Sequence, residues 1–557
     1  MTPPAEEGRT TIASAIGAAD AVGSFKYDCD NKSLQEVVLP GYDAGIDQLG
    51  VQHSRLKLQA SADRLFATLG SIQSSRSELR LNSSSSHLDD QLNNSSDYHR
   101  SPIIGGLPKG CIQNIHCSEE NETWNYRCRC NFQIVLVDPY GIASYWYAMR
   151  SMGNAVLLGK KNSFPIATKR IQTAMEEFME HLNDAMDGSG GDIVGQSGHL
   201  TSCTFSSAWR DTPDADCVLT LHYDHPLDSD EDSKKMWIQQ ARIICQKMRL
   251  RQLNGRSKGT LLSVQGGEIS DNKREAEATI RDTVYLLRND CKESRNESNS
   301  AKIQDKWRVG LENTVSPDAK STVVIPVHYD KPERAFYHPN ANAMTKALSW
   351  MLNRLSIIAL SLAPNQRLNL LEMYCGCGAH TVALGRSGLV SNIIAVELDP
   401  RLVRACEANI AKNSLQDLVE VRKGDAGRWA KEESRKRRSR KNRAVVTNNN
   451  SNDETSNQEN YYDVLLVDPP RQGLDEEVCK MAMMSIDGEI GSGESCFRNI
   501  LYVSCGHKAL LRDLERLSLF YEVANCAQMD LFPRTDSIET LVHLQRRNVV
   551  KNATSII

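Results

Sequence analysis

The stretch Leu368-Asn369-Leu370-Leu371-Glu372-Met373-Tyr374-Cys375-Gly376-Cys377-Gly378-Ala379-His380 decides the fold of the C-terminal part of this chain. Its first six residues are typical of a buried strand, and two glycines follow where the strand turns into a helical pattern. Glycine lets the backbone approach a ligand and lets a helix pack closely on a strand. A phosphate-binding loop would need Gly-x-Gly-x-x-Gly or a Walker motif, and the stretch has neither. The turn therefore fits a ligand without a pyrophosphate.

Short apolar strands alternate with amphipathic helical patterns after this stretch. Predicted strands lie at 368–373, 393–397, 418–423, 464–467, 499–503 and 541–545. This rhythm predicts an α/β domain over 335–557, with a Rossmann-like, parallel-rich, doubly wound sheet. A basic and Asn-rich segment at 431–460 interrupts the pattern, and we interpret it as a disordered insertion.

Two further regions precede this domain. Residues 103–330 have alternating strand patterns and helical patterns at 171–182 and 233–250, which predicts an α+β domain around an antiparallel sheet. Residues 1–102 are predicted to be weakly ordered because they are rich in Ser and Asn and poor in apolar side chains. One helix is expected there, at 54–69, where leucines recur at helical spacing.

Composition limits the class of protein. The 557 residues include 66 Lys and Arg and 70 Asp and Glu, a formal charge of −4, which excludes a basic coat over the whole chain but not a local basic patch. No stretch approaches the roughly 20 apolar residues of a membrane span. Scattered cysteines and the acidic start at 1–8 predict an intracellular protein, in cytoplasm or nucleus rather than an organelle. We expect a monomer.

Acidic residues follow successive predicted strands. Glu397 ends the second strand, where a carboxylate suits bidentate hydrogen bonds to a ribose diol. Asp425 follows the third strand, on the side where an adenine would lie, and Asp468-Pro469-Pro470-Arg471 follows the fourth. Each feature alone is a common turn or a solvated acid. Their order after the glycine turn predicts an S-adenosylmethionine site at the carboxyl edge of the sheet.

Two Cys-x-Cys pairs, 128/130 and 375/377, raise the alternative of a metal centre. Zinc and iron–sulfur sites usually contain Cys-x-x-Cys, which these pairs lack. The second pair also lies in the glycine turn, where the backbone matters more than the thiols. We therefore predict no metal.

A cysteine and a glutamate near the same edge suggest the chemistry. Cys505 lies two residues after the strand at 499–503, and Glu539 lies two residues before the last strand, at 541–545. Carbon 5 of uracil becomes nucleophilic after a thiolate adds to carbon 6, and a base must then remove the carbon-5 proton. Oxygen 4 needs an electrophilic partner, for which Arg471 or His338 is a candidate. Alone, Cys505 would be a buried thiol and Glu539 a solvated acid.

From Phe336 to Arg547 the chain resembles the RNA uracil-5-methyltransferase family, nearest to the branch that methylates uridine 54 in the T-loop of tRNA. The motifs that carry the resemblance are Phe336-Tyr337-His338-Pro339-Asn340, Leu371-Glu372-Met373-Tyr374-Cys375-Gly376, Asp468-Pro469-Pro470-Arg471-Gln472-Gly473-Leu474, Tyr502-Val503-Ser504-Cys505, and Asp530-Leu531-Phe532-Pro533 with Glu539. The resemblance implies that Cys505 is the nucleophile and Glu539 the proton acceptor. It further implies that S-adenosylmethionine is bound by Tyr374, Glu397 and Asp468, and we expect His338 to be a further cofactor-binding residue.

The chain departs from the family pattern at three places. His338 stands where the family usually has Gln, and an imidazole cannot copy the paired donor and acceptor of an amide. Gly506-His507 follows Cys505, where Asn-Pro is common. Arg534 and Ser537 stand where the family often has His before the glutamate.

The resemblance makes tRNA the expected partner and 103–330 an RNA-binding domain. A stacked uridine must be flipped out before both faces are open. Phosphate contacts are predicted from four basic residues, Arg127, Arg129, Lys346 and Arg534. The basic run 435–443 has three open interpretations, namely a solvated loop, an RNA-contacting arm and a nuclear import signal.

The sequence leaves three alternative functions open. A ribosomal-RNA uracil-5-methyltransferase is less favoured, because the chain lacks the N-terminal β-barrel module and the cysteine cluster of that branch. A non-catalytic tRNA-folding chaperone would need a damaged Cys505 or Glu539, and both residues are present. The large middle region argues against a small-molecule methyltransferase.

Overall fold

The computed structural model describes most of the chain from residue 124 onward and two short segments before it. The described residues are 56–65, 67, 112–114, 124–137, 144–151, 154–158, 164–186, 199–227, 229–266, 268–269, 279–289, 307–311, 322–333, 335, 337–446, 462–485, 496–533, 535 and 537–547. Within these ranges no helix has an apolar run long enough to cross a bilayer.

The C-terminal sheet has eight strands in the order β1-β18-β19-β17-β16-β13-β14-β15. Its strands are β1 (Ile112–Asn114), β13 (Leu368–Met373), β14 (Val390–Glu397), β15 (Val419–Lys423), β16 (Tyr462–Val467), β17 (Phe497–Ser504), β18 (Tyr521–Met529) and β19 (Glu539–Arg546). Strands β13 to β17 pair in parallel and β19 runs antiparallel to both neighbours. The predicted Rossmann-like α/β fold is confirmed.

Helices cover both faces of this sheet, so its central strands are mostly apolar, and every residue of β16 is buried. The helices are α4 (Ala341–Ala359), α5 (Ala379–Arg386), α6 (Pro400–Lys412), α7 (Ala426–Val446), α8 (Glu476–Met483) and α9 (His507–Leu517). Side-chain caps fix several starts: Asn340, Asp399 and Asp475 each accept a backbone N–H of the first helical turn. The strand order reverses between β13 and β16, where ligands bind in open α/β sheets.

A second eight-stranded sheet, ordered β4-β3-β2-β5-β6-β7-β8-β9, is antiparallel except for the parallel pair β6–β7. Its strands are β2 (Arg129–Val137), β3 (Ser144–Ser151), β4 (Asn154–Leu157), β5 (Leu200–Ser207), β6 (Cys217–Tyr223), β7 (Gln252–Ser257), β8 (Thr260–Gln265) and β9 (Glu268–Ile269), with helices α2 (Lys169–Met186) and α3 (Glu231–Lys247).

A three-stranded antiparallel sheet, β10 (Thr279–Asn289), β11 (Trp307–Leu311) and β12 (Thr322–Pro332), lies between the two larger sheets in sequence. Val284 and Trp307 of this sheet belong to the same buried cluster as Leu348 of α4 and Leu370 of β13. This small sheet therefore shares its core with the C-terminal sheet.

The helix expected near the N-terminus is present at residues 56–65, which we call α1. Leu58, Ala62 and Leu65 are buried along one face of it. Leu65 packs in the cluster that contains Cys526 and Leu544 of the C-terminal sheet. The remaining residues of the predicted weakly ordered N-terminal region lie largely outside the described residues.

The basic run is helical in the structure, so one prediction was wrong. We expected a disordered insertion at 431–460, but 431–446 continue helix α7, while 447–461 lie outside the described residues. Lys, Arg and Glu are good helix formers, so the composition that suggests a solvated loop also supports a helix. Arg437 anchors it: the guanidinium is buried and contacts the Glu433 carboxylate at 3.1 Å and Cys496 Sγ at 2.9 Å.

The direction of α7 bears on the role of the run. The helix starts at the carboxyl end of β15 and connects to the parallel strand β16, so it must return toward the opposite edge of the sheet. Twenty-one residues of helix span about 31 Å, whereas the five residues of β15 span about 17 Å. The basic run is therefore placed toward the edge opposite the strand ends that carry the predicted site.

This anchoring leads to a stability prediction. We expect Arg437→Met to lower the free energy of unfolding by about 3–5 kcal/mol, because it leaves Glu433 largely buried without its cation. The matched control is Arg435→Met on the exposed face of the same helix, with an expected change within about 0.5 kcal/mol. Urea unfolding followed by circular dichroism measures both. Equal effects of the two substitutions would contradict the burial of Arg437.

Candidate active site

Four parallel strands bring predicted site residues to one edge of the C-terminal sheet. Tyr374 follows β13 and Glu397 ends β14, while Asp468 follows β16 and Cys505 follows β17. Strand β19 runs the other way, so its first residue, Glu539, lies at the same edge. Because Ser504 is paired with Thr540, Cys505 and Glu539 are at the ends of two adjacent strands.

The glycine turn after β13 fixes the carboxylate of Glu397. The N–H groups of Gly376 and Asp399 donate to its two oxygens at 3.0 and 2.8 Å. Gly378 has φ 82°, and a Cβ there would lie 2.8 Å from Cys406 Sγ, so this position requires glycine. A Cβ on Gly376 would meet no atom within 4 Å. The turn therefore borders open space beside a carboxylate held in place.

The turn after β16 is held by a residue that the sequence did not point to. Asp513 of α9 is fully buried, and its Oδ2 accepts the N–H of Leu474 at 2.7 Å and the hydroxyl of Tyr502 at 2.9 Å. Gly473 has φ 86°, and any side chain on it would collide with this carboxylate. The turn leaves Arg471 exposed at the edge of the sheet.

Arg471 and Cys505 lie against each other. A Cβ on Gly506 would come within 2.4 Å of the Arg471 carbonyl oxygen, which explains glycine at the position where the family commonly has Asn. The Arg471 side chain is close enough to Cys505 to lower the pKa of the thiol, and Cys505 is partly exposed. Burial, followed by the Glu539 and Asp468 carboxyls, raises the pKa of Cys505, and Arg471 offsets part of this.

The site concentrates acidic groups. Glu539 is 2% exposed, and burial together with Asp468 raises its pKa well above the usual range. Burial raises the pKa of Asp468 to about 7. Two carboxyls and a thiol with one nearby guanidinium leave room for a further positive charge, which would favour their ionised forms. The electrostatics thus fit a cationic ligand such as a sulfonium.

Two buried imidazoles line the same site. Neither ring nitrogen of His338 has a hydrogen-bond partner in the structure, and the His380 ring centroid lies 5.9 Å away. Burial lowers the pKa of His338 to about 4 and that of His380 to about 3, so both rings are neutral near pH 7. His380 Nδ1 lies 3.8 Å from the buried carboxyl of Glu372. Unpaired buried nitrogens are costly, which indicates that a ligand completes them.

The same imidazoles also form a potential donor set for a metal. His338, His380 and Asp468 offer ligand atoms within 4.8 Å of one another. Two neutral imidazoles and a carboxylate are suitable zinc ligands. Sequence reasoning missed His380, although this residue directly follows the glycine turn after β13.

Asp425 has a structural role. It is exposed, and its carboxylate accepts the N–H of Arg428 at 2.9 Å in the first turn of α7. It is close enough to Tyr374 to contribute to the raised pKa of that phenol, about 12, which burial chiefly causes. Tyr374 itself has φ 64°, an uncommon conformation for a non-glycine residue. An adenine contact for Asp425 stays a prediction.

The predicted phosphate-binding arginines are engaged with the protein. Arg127 Nε donates to the Arg129 carbonyl oxygen at 3.0 Å, and its guanidinium lies 5.4 Å from the centroid of the Phe532 ring. Arg129 Nη1 donates to the Ala335 carbonyl oxygen at 3.1 Å. Lys346 is half-buried, and Arg534 lies outside the described residues. Phosphate contacts from these four residues stay predictions.

A parallel sheet with a glycine turn after its first central strand and an acidic residue ending the next defines a Rossmann-like methyltransferase fold. Residues 323–547 match the sequence profile of the tRNA (Uracil-5-)-methyltransferase family. This part of the chain is thus similar in sequence to the RNA uracil-5-methyltransferase family.

Several known proteins are similar to this chain. A tRNA/tmRNA (uracil-C(5))-methyltransferase of Pseudoalteromonas translucida is 31% identical over 220 residues, which are 40% of this chain and 51% of the relative. The chain thus spans about half the length of such relatives. A protein of the same name from Pseudomonas paraeruginosa is 24% identical over 77% of this chain and 90% of its own. A solved structure of Pyrococcus abyssi tRNA (uracil-54, C5)-methyltransferase with S-adenosyl-L-homocysteine aligns with a TM-score of 0.42 at 16% identity, over 76% of each chain.

Proposed function

We propose that this protein is an RNA uracil-5-methyltransferase that transfers a methyl group from S-adenosylmethionine to carbon 5 of a uridine in tRNA, with uridine 54 of the T-loop as its target. The observation that carries the proposal is the placement of Cys505 and Glu539 at adjacent strand ends, with Asp468 and Arg471 beside them. A thiol, a carboxyl and an electrophilic guanidinium at one site are what methylation at carbon 5 of uracil requires.

Each site residue has a separate role in the proposed reaction. The Cys505 thiolate attacks carbon 6 of the flipped uracil, and Arg471 stabilises first the thiolate and then the charge on oxygen 4. S-adenosylmethionine, when bound, supplies the electrophilic methyl group that carbon 5 takes. Glu539 accepts the carbon-5 proton, the bond from carbon 6 to Sγ breaks, and the thiolate is released.

The cofactor residues fit this assignment. Glu397 is held by two backbone N–H groups at the open side of the glycine turn, where a ribose diol could bind its free lone pairs. Asp468 and Glu539 are carboxyls with raised pKa values, and a bound sulfonium would stabilise their ionised forms. His338 offers two unpaired nitrogens to the ligands from the side of α4.

The choice of tRNA rests on the family and on the names of the relatives. A uridine of ribosomal RNA is the competing target. A non-catalytic tRNA-folding chaperone is the competing class, and the complete set of Cys505, Glu539 and Asp468 argues against it.

One assay separates these possibilities. Purified full-length protein is incubated with labelled S-adenosylmethionine and an unmodified tRNA transcript, a matched transcript with cytidine at position 54, or ribosomal-RNA fragments. We expect one methyl group per tRNA, at uridine 54, with release of tritium from carbon-5-labelled uracil. Methylation only of ribosomal RNA would show that tRNA is not the substrate. Methylation of another base would show that carbon 5 of uracil is not the methyl acceptor. Tight tRNA binding without methylation would indicate the chaperone.

His338 provides a test of the pocket. We expect His338→Ala to lower kcat/KM about 10²-fold, the usual cost of losing one positioned donor, and His338→Gln to keep activity within about tenfold of wild type. The physical reason is that an amide can replace at least one imidazole hydrogen bond. Steady-state kinetics in both substrates measure the effect. Wild-type activity of His338→Ala would show that no ligand uses this side chain.

A further inference from the structure

The N-terminal helix α1 carries a buried cation that holds the segment leading to Glu539. The Lys57 ammonium donates to the carbonyl oxygens of Phe532 at 3.1 Å, Thr535 at 2.5 Å and Ser537 at 3.2 Å. It also pairs with the Asp530 carboxylate at 2.5 Å. The side chains of Lys57 and Asp530 are 7% and 0% exposed, so these interactions are shielded from water.

The segment held in this way connects the two strands that set the position of the catalytic carboxyl. Strand β18 ends at Met529, which is paired with Glu539, the first residue of β19. Three carbonyl groups of the intervening turn point toward one another. Their oxygens repel each other unless a cation or several N–H groups bind between them. The ammonium of Lys57 binds between them.

Helix α1 is itself fixed to the end of β18. Ser61, one helical turn after Lys57, has its hydroxyl bonded by Gln528 Nε2 at 2.9 Å. Arg64 is close enough to contribute to the lowered pKa of His507, which burial chiefly causes. The helix thus contacts the strand end before Glu539 and lies near the start of the helix that follows Cys505.

Other side chains also hydrogen-bond to this turn. Tyr126 donates its hydroxyl to the Pro533 carbonyl oxygen at 3.0 Å, and Asn340 Nδ2 donates to that of Leu531 at 3.1 Å. Lys57 binds three carbonyl oxygens and a carboxylate of the same turn.

We infer that Lys57 is a positioning residue that holds Glu539 in the geometry needed to remove the carbon-5 proton, so that helix α1 is part of the catalytic apparatus. This inference rests on the proposed function. Attack by Cys505 and methyl transfer do not use Glu539, whereas proton removal and release of the thiolate do. Loosening the turn should therefore slow release of the methylated RNA more than formation of the covalent adduct.

The test compares Lys57→Met with Lys57→Arg and with Asp63→Asn, an exposed control on the same helix. Full-length variants are mixed with labelled S-adenosylmethionine and tRNA, and the covalent protein–RNA adduct and the free methylated tRNA are followed on denaturing gels. We expect Lys57→Met to slow adduct breakdown by about tenfold or more, as a misplaced catalytic group does, while the adduct forms at a near wild-type rate. Lys57→Arg should recover part of the breakdown rate, and Asp63→Asn should match wild type.

Two results would overturn the inference. One is an unchanged breakdown rate in Lys57→Met. The other is an equal loss of adduct formation and breakdown that follows a fall in Tm, which a merely structural role would produce. Ser61→Ala, which removes only the bond to Gln528, provides a second test if Lys57→Met does not fold. This variant should also slow adduct breakdown more than adduct formation, by a smaller factor. Failure of the proposed function would look different, because the wild-type protein would then form no adduct.

Discussion

Cys505→Ala is expected to lower methyl transfer to tRNA by about 10⁴-fold or more, since without the thiolate carbon 5 of uracil never becomes nucleophilic. Cys505→Ser should be nearly as inactive, because a hydroxyl at this site has no comparable anion near neutral pH. Single-turnover assays with excess protein measure the rate, and filter binding should show tRNA affinity within about threefold of wild type, as the thiol is a small part of the interface.

The control for this substitution is Cys203→Ala. That thiol is fully buried in β5 of the other large sheet, and its loss should leave methyl transfer nearly unchanged. The covalent adduct offers a second readout, present in wild type and absent from Cys505→Ala. Retained activity in Cys505→Ala would refute the nucleophile and with it the covalent pathway.

The pH dependence of adduct formation follows from the same residue. Burial and the neighbouring carboxyls raise the pKa of Cys505, so the thiolate is a minority form at neutral pH. The rate of attack should therefore increase with pH across the neutral and mildly alkaline range, because deprotonation produces the reactive form. A rate that falls over this range would mean that a group other than the thiol controls attack.

The sequence was sufficient for the strand ends and the residues they carry. Each central strand is a short apolar run buried on both faces, and Tyr374, Glu397, Asp468 and Cys505 follow such runs directly. The local sequence pattern is enough to place these residues together, because the carboxyl ends of parallel strands lie at the same edge of a sheet. The same logic does not reach Asp513, whose role depends on a turn 39 residues away in the chain.

Contacts between distant parts of the chain account for the other residues that sequence reasoning missed. Lys57 holds a carbonyl 475 residues away, and no local periodicity records such a pairing. The basic run was misinterpreted because charge composition shows neither the burial of Arg437 nor its contact with Cys496. In both cases a charged side chain in a solvent-like sequence context becomes buried through tertiary contacts, which override local propensity.

Glu539→Gln should uncouple the two halves of the reaction. We expect about one methyl group transferred per molecule and then a stalled covalent adduct, with kcat reduced about 10³-fold, within the range for loss of a general base. An amide keeps the size of the side chain but cannot accept the carbon-5 proton, so the bond between carbon 6 and Sγ cannot break. Rapid quench followed by denaturing gels measures the adduct, and tritium release from carbon-5-labelled uracil measures proton removal.

Glu522→Gln serves as the control for Glu539→Gln, because that exposed acid lies on neighbouring β18 and should not affect turnover. The pKa of Glu539 is raised by burial and by Asp468, and only its ionised form accepts a proton, so adduct breakdown in wild type should accelerate as the pH rises. The same step in Glu539→Gln should lose this dependence. If Glu539→Gln also abolishes the first methyl transfer, the Glu539 carboxyl acts before or during formation of the adduct and not only in its breakdown. If Glu539→Gln turns over normally, another base removes the carbon-5 proton.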